Sequence, residues 1–227
     1  MNEQIYAVAI DGPGGAGKST IARTVARELG ILYVDTGAIY RTVGYHVYLR
    51  GQDPKDHAAV IALLDDTNIE MAYGADGLQR MYLNGEDVTD KIRLPEMSMY
   101  ASHVSTIPEV RAFLMDMQRT CARKTSVVMD GRDIGTVVLP DAQVKIFLTA
   151  DVEERARRRY KELIERGTPT DFEKLLEEIK QRDYQDSNRA AAPLRPAEDS
   201  VVVDTTSLDF AHSCRKILEI IKERVGI

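Results

Sequence analysis

Eight residues near the start constrain this chain more than any other segment. Gly12-Pro13-Gly14-Gly15-Ala16-Gly17-Lys18-Ser19 satisfies the spacing G-x-x-x-x-G-K-[S/T]. Small residues let consecutive backbone N–H groups curl around an anion, and a helix beginning at Ser19 adds its partial positive charge. Lys18 is placed to reach the β- and γ-phosphates of a nucleoside triphosphate, and the Ser19 hydroxyl to ligate Mg²⁺. The context agrees. The apolar run Tyr6–Ile10 precedes the loop, and Ile21, Val25 and Leu29 follow at helical spacing, with Gly30 as the stop.

Five short apolar runs recur along the chain: Tyr6–Ile10, Ile31–Val34, Ser126–Met129, Val144–Leu148 and Ser200–Val203. Most are apolar at consecutive positions, as in strands covered on both faces. Helical patterns separate them, and the last, Ala211–Val225, carries Ile217, Leu218, Ile221 and Val225 on one face. The expected fold is α/β, a five-stranded parallel sheet flanked by helices. Residues 68–89 break the rhythm with short strand-like runs between two glycine-containing turns, Gly74–Gly77 and Asn84–Asp87. They predict a small antiparallel sheet in an inserted domain at 41–115, with residues 1–40 and 116–227 forming the core.

Ligands of open α/β sheets bind beyond the carboxyl ends of the strands. Two polar clusters are expected there: Asp35-Thr36-Gly37-Ala38-Ile39-Tyr40-Arg41 after the second strand and Asp130-Gly131-Arg132-Asp133 after the third. Asp35 also suits a helix N-cap and Asp130-Gly131 a plain turn. Thr170-Asp171-Phe172-Glu173 is a capping-box pattern that opens a helix. Along it Leu175, Ile179, Arg182, Asp186 and Arg189 share one face, apolar at first and charged at the end, as for a helix entering a polar site or simply ending in solvent. Arg155, Arg157, Arg158 and Arg159 sit early in a helix that Asp151 caps, where they oppose the helix dipole. They read either as a solvated basic face or as a short lid, at about 151–167, that brings guanidiniums onto a phosphoryl group.

The bulk numbers exclude other classes. Thirty Lys and Arg stand against 36 Asp and Glu, a net charge of -6, whereas a dedicated nucleic-acid binder is usually basic. No apolar stretch approaches the ~20 residues of a membrane helix. The N-terminus, with Glu3 where a basic region would stand, does not read as a signal peptide. Cys121 and Cys214 read as free thiols. A cytoplasmic enzyme is expected. The Asn-Lys-x-Asp motif of GTPases is absent, and a motor would usually be larger, so the arginine-rich second half favours a small-molecule kinase.

Taken together, DGPGGAGKST at 11–20, DTGAIYR at 35–41, DGRDIGTVVLPDAQVKIFL at 130–148 and RDYQDSNRAAAPL at 182–194 closely resemble bacterial-type cytidylate kinases over nearly the whole chain. The resemblance implies a P-loop nucleoside monophosphate kinase with an inserted monophosphate-binding domain and a lid. It implies transfer of the γ-phosphoryl group of ATP to CMP, and to dCMP, with Mg²⁺. No long apolar stripe is left unexplained, so a monomer is expected, one that by its charge and hydropathy binds neither nucleic acid nor membrane. By the same resemblance Gly12 through Thr20, with Arg158, hold ATP. Ser102, Arg111 and Asp133 surround the cytosine, Thr36, Arg41, Arg132 and Arg189 grip the CMP phosphate, and Arg182 and Asp186 meet the sugar. Lys18, Arg132, Arg158 and Arg189 are the catalytic candidates.

The chemistry of cytosine fits these roles. Its N4 amino group donates to a carboxylate, while uracil would set an acceptor against Asp133. A kinase for another acceptor, such as UMP or a small metabolite, and a nucleotide-binding regulator with slow ATP hydrolysis remain the alternatives. They differ in how strongly an acceptor stimulates ADP release.

Overall fold

The computed structural model describes residues 5–165, 167–168 and 170–227. The first four residues, on which part of the signal-peptide reading rests, and Arg166 of the expected lid lie outside the described residues. In chain order the elements are β1 (Ala7–Asp11), α1 (Lys18–Leu29), β2 (Leu32–Asp35), α2 (Thr36–Leu49), α3 (His57–Leu64), β3 (Ile69–Tyr73), β4 (Gln79–Leu83) and β5 (Glu86–Asp87). There follow α4 (Met97–Val104), α5 (Pro108–Lys124), β6 (Val127–Gly131), β7 (Val144–Thr149), α6 (Val152–Glu165), α7 (Phe172–Asn188), β8 (Val201–Asp204) and α8 (Phe210–Val225).

A five-stranded sheet runs in the order β2-β6-β1-β7-β8, with parallel pairing of β1 to β6 and β7, and of β7 to β8. The central strands β1 and β6 are buried at every position, which is why their sequences are apolar without alternation. Against them pack Ile21, Ala22 and Val25 of α1 and Ile217, Leu218 and Ile221 of α8. Each such fully buried aliphatic side chain contributes ~1.5–3 kcal/mol relative to exposure. Strands β1, β2, β7 and β8 run one residue past their last apolar position and β6 runs two, because the ladder continues through polar residues and glycine. Asp11 lies abreast of Gly131 on one side and Phe147 on the other. This register brings the loop after β1 and the loop after β6 to the same sheet end.

The chain forms two compact units, one from the residues up to Tyr33 with Ala122–Ile227, the other Val34–Cys121. The sequence-based boundaries at 40/41 and 115/116 fall inside α2 and α5. Helix α2 follows β2 without a gap because Asp35 ends the strand and caps the helix, its carboxylate accepting from Ala38 N at 2.8 Å. The second unit holds the antiparallel sheet β3-β4-β5, whose β4 and β5 meet at Asn84-Gly85, both with positive φ. Ile39, Met81, Leu83, Ile92, Met97, Val104 and Leu114 are buried in it.

The helix expected from Thr170 starts one residue later. Asp171 is its N-cap, accepting from Lys174 N at 2.8 Å, a carboxylate being the stronger partner for a helix N-terminus. Neither Cys121 nor Cys214 forms a disulfide. No helix among the described residues is long and apolar enough to cross a membrane.

Candidate functional site

The phosphate loop turns where only glycine fits. Gly12 has φ +148°, and a Cβ built there would lie 1.9 Å from the carbonyl oxygen of Leu148. Lys18 opens α1 and folds back over the loop, its Nζ donating to the Pro13 carbonyl at 2.8 Å. It is buried, and burial, then Arg132, hold its ammonium well below the usual lysine range, while Asp130 partly opposes them. A cation crowded in this way is one that a polyphosphate anion would relieve. Thr20, in the first turn of α1, is exposed.

The Ser19 hydroxyl donates to Asp130 Oδ2 at 2.8 Å, and the Tyr33 hydroxyl donates to Asp130 Oδ1 at 2.8 Å. Asp130 therefore faces the loop and is no mere turn residue. A serine hydroxyl beside a carboxylate is a hard-oxygen pair of the kind Mg²⁺ takes when phosphates and water complete its shell. Among the described residues no cluster of three or more His, Cys, Asp or Glu could hold a metal by itself.

Beyond β6, Arg132 and Asp133 are held by their neighbours. The Arg132 Nε donates to Asp186 Oδ2 at 2.8 Å. Asp133 is buried, with the Arg189 Nη2 3.5 Å from its Oδ1, and Arg189 also donates from Nε to the Ala192 carbonyl at 2.8 Å. Arg182 Nε lies 4.0 Å from Asp186 Oδ2. Burial by itself would raise the Asp186 carboxyl, but Arg132, Arg182 and Arg189 outweigh it and hold the group below the ordinary carboxylate range. The charged end of α7 therefore joins the loop after β6, and the face bearing Arg182, Asp186 and Arg189 is no solvated helix end. A Cβ placed on Gly14 would meet the Arg132 Nη2 at 3.5 Å and the Arg182 Nη1 at 3.9 Å, so two guanidiniums converge on the phosphate loop.

Of the arginines early in α6, Arg157 pairs with Glu153 and Arg159 with Glu162. Arg158 pairs with Glu154 and donates to the carbonyl of Thr205 at 2.7 Å and to its hydroxyl at 3.2 Å. Arg155 is the one that reaches the phosphate loop, donating to the Gly14 carbonyl at 2.9 Å.

The second unit carries the other expected residues. Thr36 is buried at the start of α2, and Arg41 pairs with Asp35 at 2.9 Å. The side chain of Gln79 on β4 brackets the Asp35 backbone, its oxygen accepting from Asp35 N at 2.8 Å and its Nε2 donating to Asp35 O at 3.1 Å. The small sheet thereby holds the first turn of α2. Arg111 is buried over the Tyr40 ring, 5.7 Å from its centroid, and donates to the Ser105 carbonyl at 3.4 Å. Ser105 in turn donates to the Ser102 carbonyl at 2.8 Å. The Ser102 Oγ is buried and has no hydrogen-bond partner among the described residues, as suits a group whose partner is a ligand.

Two contributors escaped the sequence reading, Asp11 and Tyr33, and Arg155, expected only as one of four arginines of a solvated face or lid, is held against the phosphate loop instead. Asp11 accepts from Ile134 N and Gly135 N, both at 2.7 Å, and so anchors the single π-helical turn Ile134–Val138 that follows Arg132 and Asp133. A polar residue closing a buried strand directly before the phosphate loop was the available signal. Burial pushes its carboxyl up to about 6 despite the hydrogen bonds from Gly135 and Ile134, with Asp133 raising it further and Lys18 lowering it. The folded protein thus binds a proton at Asp11 more tightly than the unfolded chain. This group's contribution to stability is full below its unfolded pKa of 3.8 and is lost as pH rises through about 6. The span is ~3 kcal/mol, about half of it between pH 7 and 5. Asp11→Asn has no such titration, so wild type should gain stability relative to the variant as pH falls from 7 to 5, read from urea midpoints. A constant or reversed gap would refute this.

A family model described as cytidylate kinase matches residues 8–223. A cytidylate kinase of Caldicellulosiruptor bescii is 52% identical over 213 residues, 94% of each chain. One of Geobacillus thermodenitrificans is 51% identical over 224 residues, 99% of this chain and 100% of that one. A solved structure of an uncharacterized protein from Eubacterium ventriosum, 14% identical, superposes with a TM-score of 0.53 over 96% of this chain and 98% of that one, a likeness of fold. With the phosphate loop, the parallel sheet and the inserted antiparallel sheet in place, these matches lead to one conclusion: the chain belongs to the cytidylate kinase family.

Proposed function

We propose that the protein transfers the γ-phosphoryl group of ATP to CMP, and also to dCMP, giving CDP or dCDP and ADP. The observation that carries this is the convergence of Arg132 and Arg182 on the phosphate loop at Gly14. A loop for one phosphate chain, with the Arg132 guanidinium beside it for a second phosphate and Arg182 next to it for that molecule's sugar, suits transfer between two phosphorylated molecules better than hydrolysis. Lys18 and the loop N–H groups of Gly12 and residues 14–20 bind ATP, with Pro13 shaping the turn. Arg132 and Arg189, with Thr36 and Arg41 of the second unit, bind the acceptor phosphate, and Arg182 and Asp186 bind the sugar. Asp133, Ser102 and Arg111 read the base, and the unpartnered Ser102 hydroxyl supports that assignment.

A phosphate oxygen of CMP attacks the γ-phosphorus in line, and the bond from that phosphorus to the β-bridging oxygen breaks. The monoester is already nucleophilic near neutral pH, so no strong base is needed, and catalysis is positioning plus electrostatics. Lys18 stabilises charge as it moves to the leaving β-phosphate. Ser19 and Asp130 would hold Mg²⁺, which when bound neutralises phosphate charge. For Arg158 to meet phosphate, its bonds to Thr205 must exchange. The working form is read as a cytoplasmic monomer without a nucleic-acid partner.

The test is ADP production from ATP and Mg²⁺ with CMP, dCMP, UMP, AMP, GMP and shikimate as acceptors. Strong stimulation by CMP with UMP well behind is expected. Equal stimulation by UMP would overturn the base-pocket assignment, and no stimulation by any acceptor would overturn the kinase reading.

A further inference from the structure

The side chain of Arg155 is 95% buried, and its guanidinium holds three separate acceptors. Its Nε donates to the Ala150 carbonyl at 2.9 Å, its Nη1 to the Gly14 carbonyl at 2.9 Å, and Nη1 and Nη2 to the Asp183 carboxylate at 3.2 and 2.5 Å. Ala150 directly follows β7, Gly14 is the middle of the phosphate loop, and Asp183 is the neighbour of Arg182 on α7. The backbone of Arg155 adds to the contact, since a Cβ on Gly15 would lie 3.3 Å from both its Cβ and its carbonyl oxygen.

The peptide between Gly14 and Gly15 is planar and trans, so its N–H points opposite to its C=O. Fixing the Gly14 carbonyl on the Arg155 guanidinium therefore turns the Gly15 N–H away from that guanidinium. Arg132 and Arg182 flank Gly14 as well. One guanidinium thus both orients a donor of the phosphate loop and, through Asp183, ties that loop to the helix carrying Arg182 and Asp186.

We propose that Arg155 is a positioning residue that presets the Gly15 N–H for the donor phosphates and, with Asp183, locks the donor loop in register with the acceptor-binding end of α7. The second half rests on the kinase reading above; the first half needs only a polyphosphate in the loop. Lysine at this position would keep the charge and lose the fork, since a single ammonium cannot span a carboxylate and two carbonyls lying in different directions.

The experiment uses the full chain with Arg155→Lys, Asp183→Asn and the double variant. Protection against thermal unfolding by inorganic tripolyphosphate is measured first. Arg155→Lys is expected to weaken that protection clearly, Asp183→Asn to weaken it less. Steady-state kinetics follow: the Arg155→Lys kcat should fall about 10–100-fold, the scale of a small misplacement of reacting groups, with a much smaller change in the KM for CMP. The double variant should be little worse than Arg155→Lys alone, because the two side chains act through one contact. Losses that simply add, or an Arg155→Lys protein with wild-type tripolyphosphate protection and kcat, would overturn the proposal. Should Arg155→Lys retain the ligand-free melting temperature, a scaffold role is excluded; should it not, Asp183→Asn and its kcat-against-KM split carry the decision. Failure of wild type in the acceptor panel would instead leave tripolyphosphate protection intact, so the two readings fail separately.

Discussion

Lys18→Ala should lower kcat by on the order of 10²–10³-fold or more, the loss seen when a preorganised donor to developing charge is removed. The folded protein should survive the change. Lys18 is buried beside Arg132 and Arg182, and burial with these cations disfavours its charged form, so the ammonium is held at a cost to stability. Its hydrogen bond to the Pro13 carbonyl returns only part of that cost. The ligand-free urea midpoint of the variant should therefore match or exceed that of wild type, and Lys18→Met, closer in volume, should behave alike. Tripolyphosphate should protect both variants poorly. A Lys18→Ala protein that turns over at the wild-type rate would remove the lysine from the mechanism.

Asp133→Asn should raise the KM for CMP about 10–100-fold, the equivalent of ~1–3 kcal/mol for a buried polar contact left imperfect, while the KM for ATP changes little. Selectivity should fall more sharply than activity. A carboxylate accepts from the N4 amino group of cytosine and meets the O4 of uracil acceptor to acceptor, whereas an amide can turn to donate to O4. The ratio of CMP to UMP turnover should narrow accordingly. Asparagine is preferable to alanine as the probe, since Asp133 also faces the buried Arg189 and its full removal would strand that charge. Equal losses for CMP and ATP would show that the base is read elsewhere.

Much of the frame was legible because it follows from short-range rules. Gly12 through Ser19 announces a phosphate loop by spacing alone, and the unbroken apolar runs of β1 and β6 announce strands covered on both faces. The capping of α2 by Asp35 and the turn at Asn84-Gly85 are equally local. The stripe from Leu175 to Arg189 correctly located the polar end of α7, because helical period places those residues on one face wherever the helix goes. The offsets of one or two residues at the strand ends and at Asp171 have a common origin. Side-chain type marks the boundary in sequence, whereas backbone hydrogen bonding sets it in the fold.

What periodicity could not show is which of several equivalent residues reaches the site. Four arginines at 155–159 look alike in sequence, and only the start of α6 beyond β7 decides that Arg155 faces Gly14 while Arg158 meets Thr205. Asp11 closes β1, and Asp130 stands one residue before the end of β6. The register β1 against β6 decides that one anchors Ile134 and Gly135 while the other receives Ser19 and Tyr33. By itself the sequence determined the phosphate loop, the layered α/β architecture and the family, since spacing, hydrophobic period and turn chemistry act within a few residues. Only the tertiary structure decided the partners of Asp11, Asp130, Arg155 and Asp183, since pairing over 28 to 141 positions depends on strand register and helix docking, which no local pattern encodes.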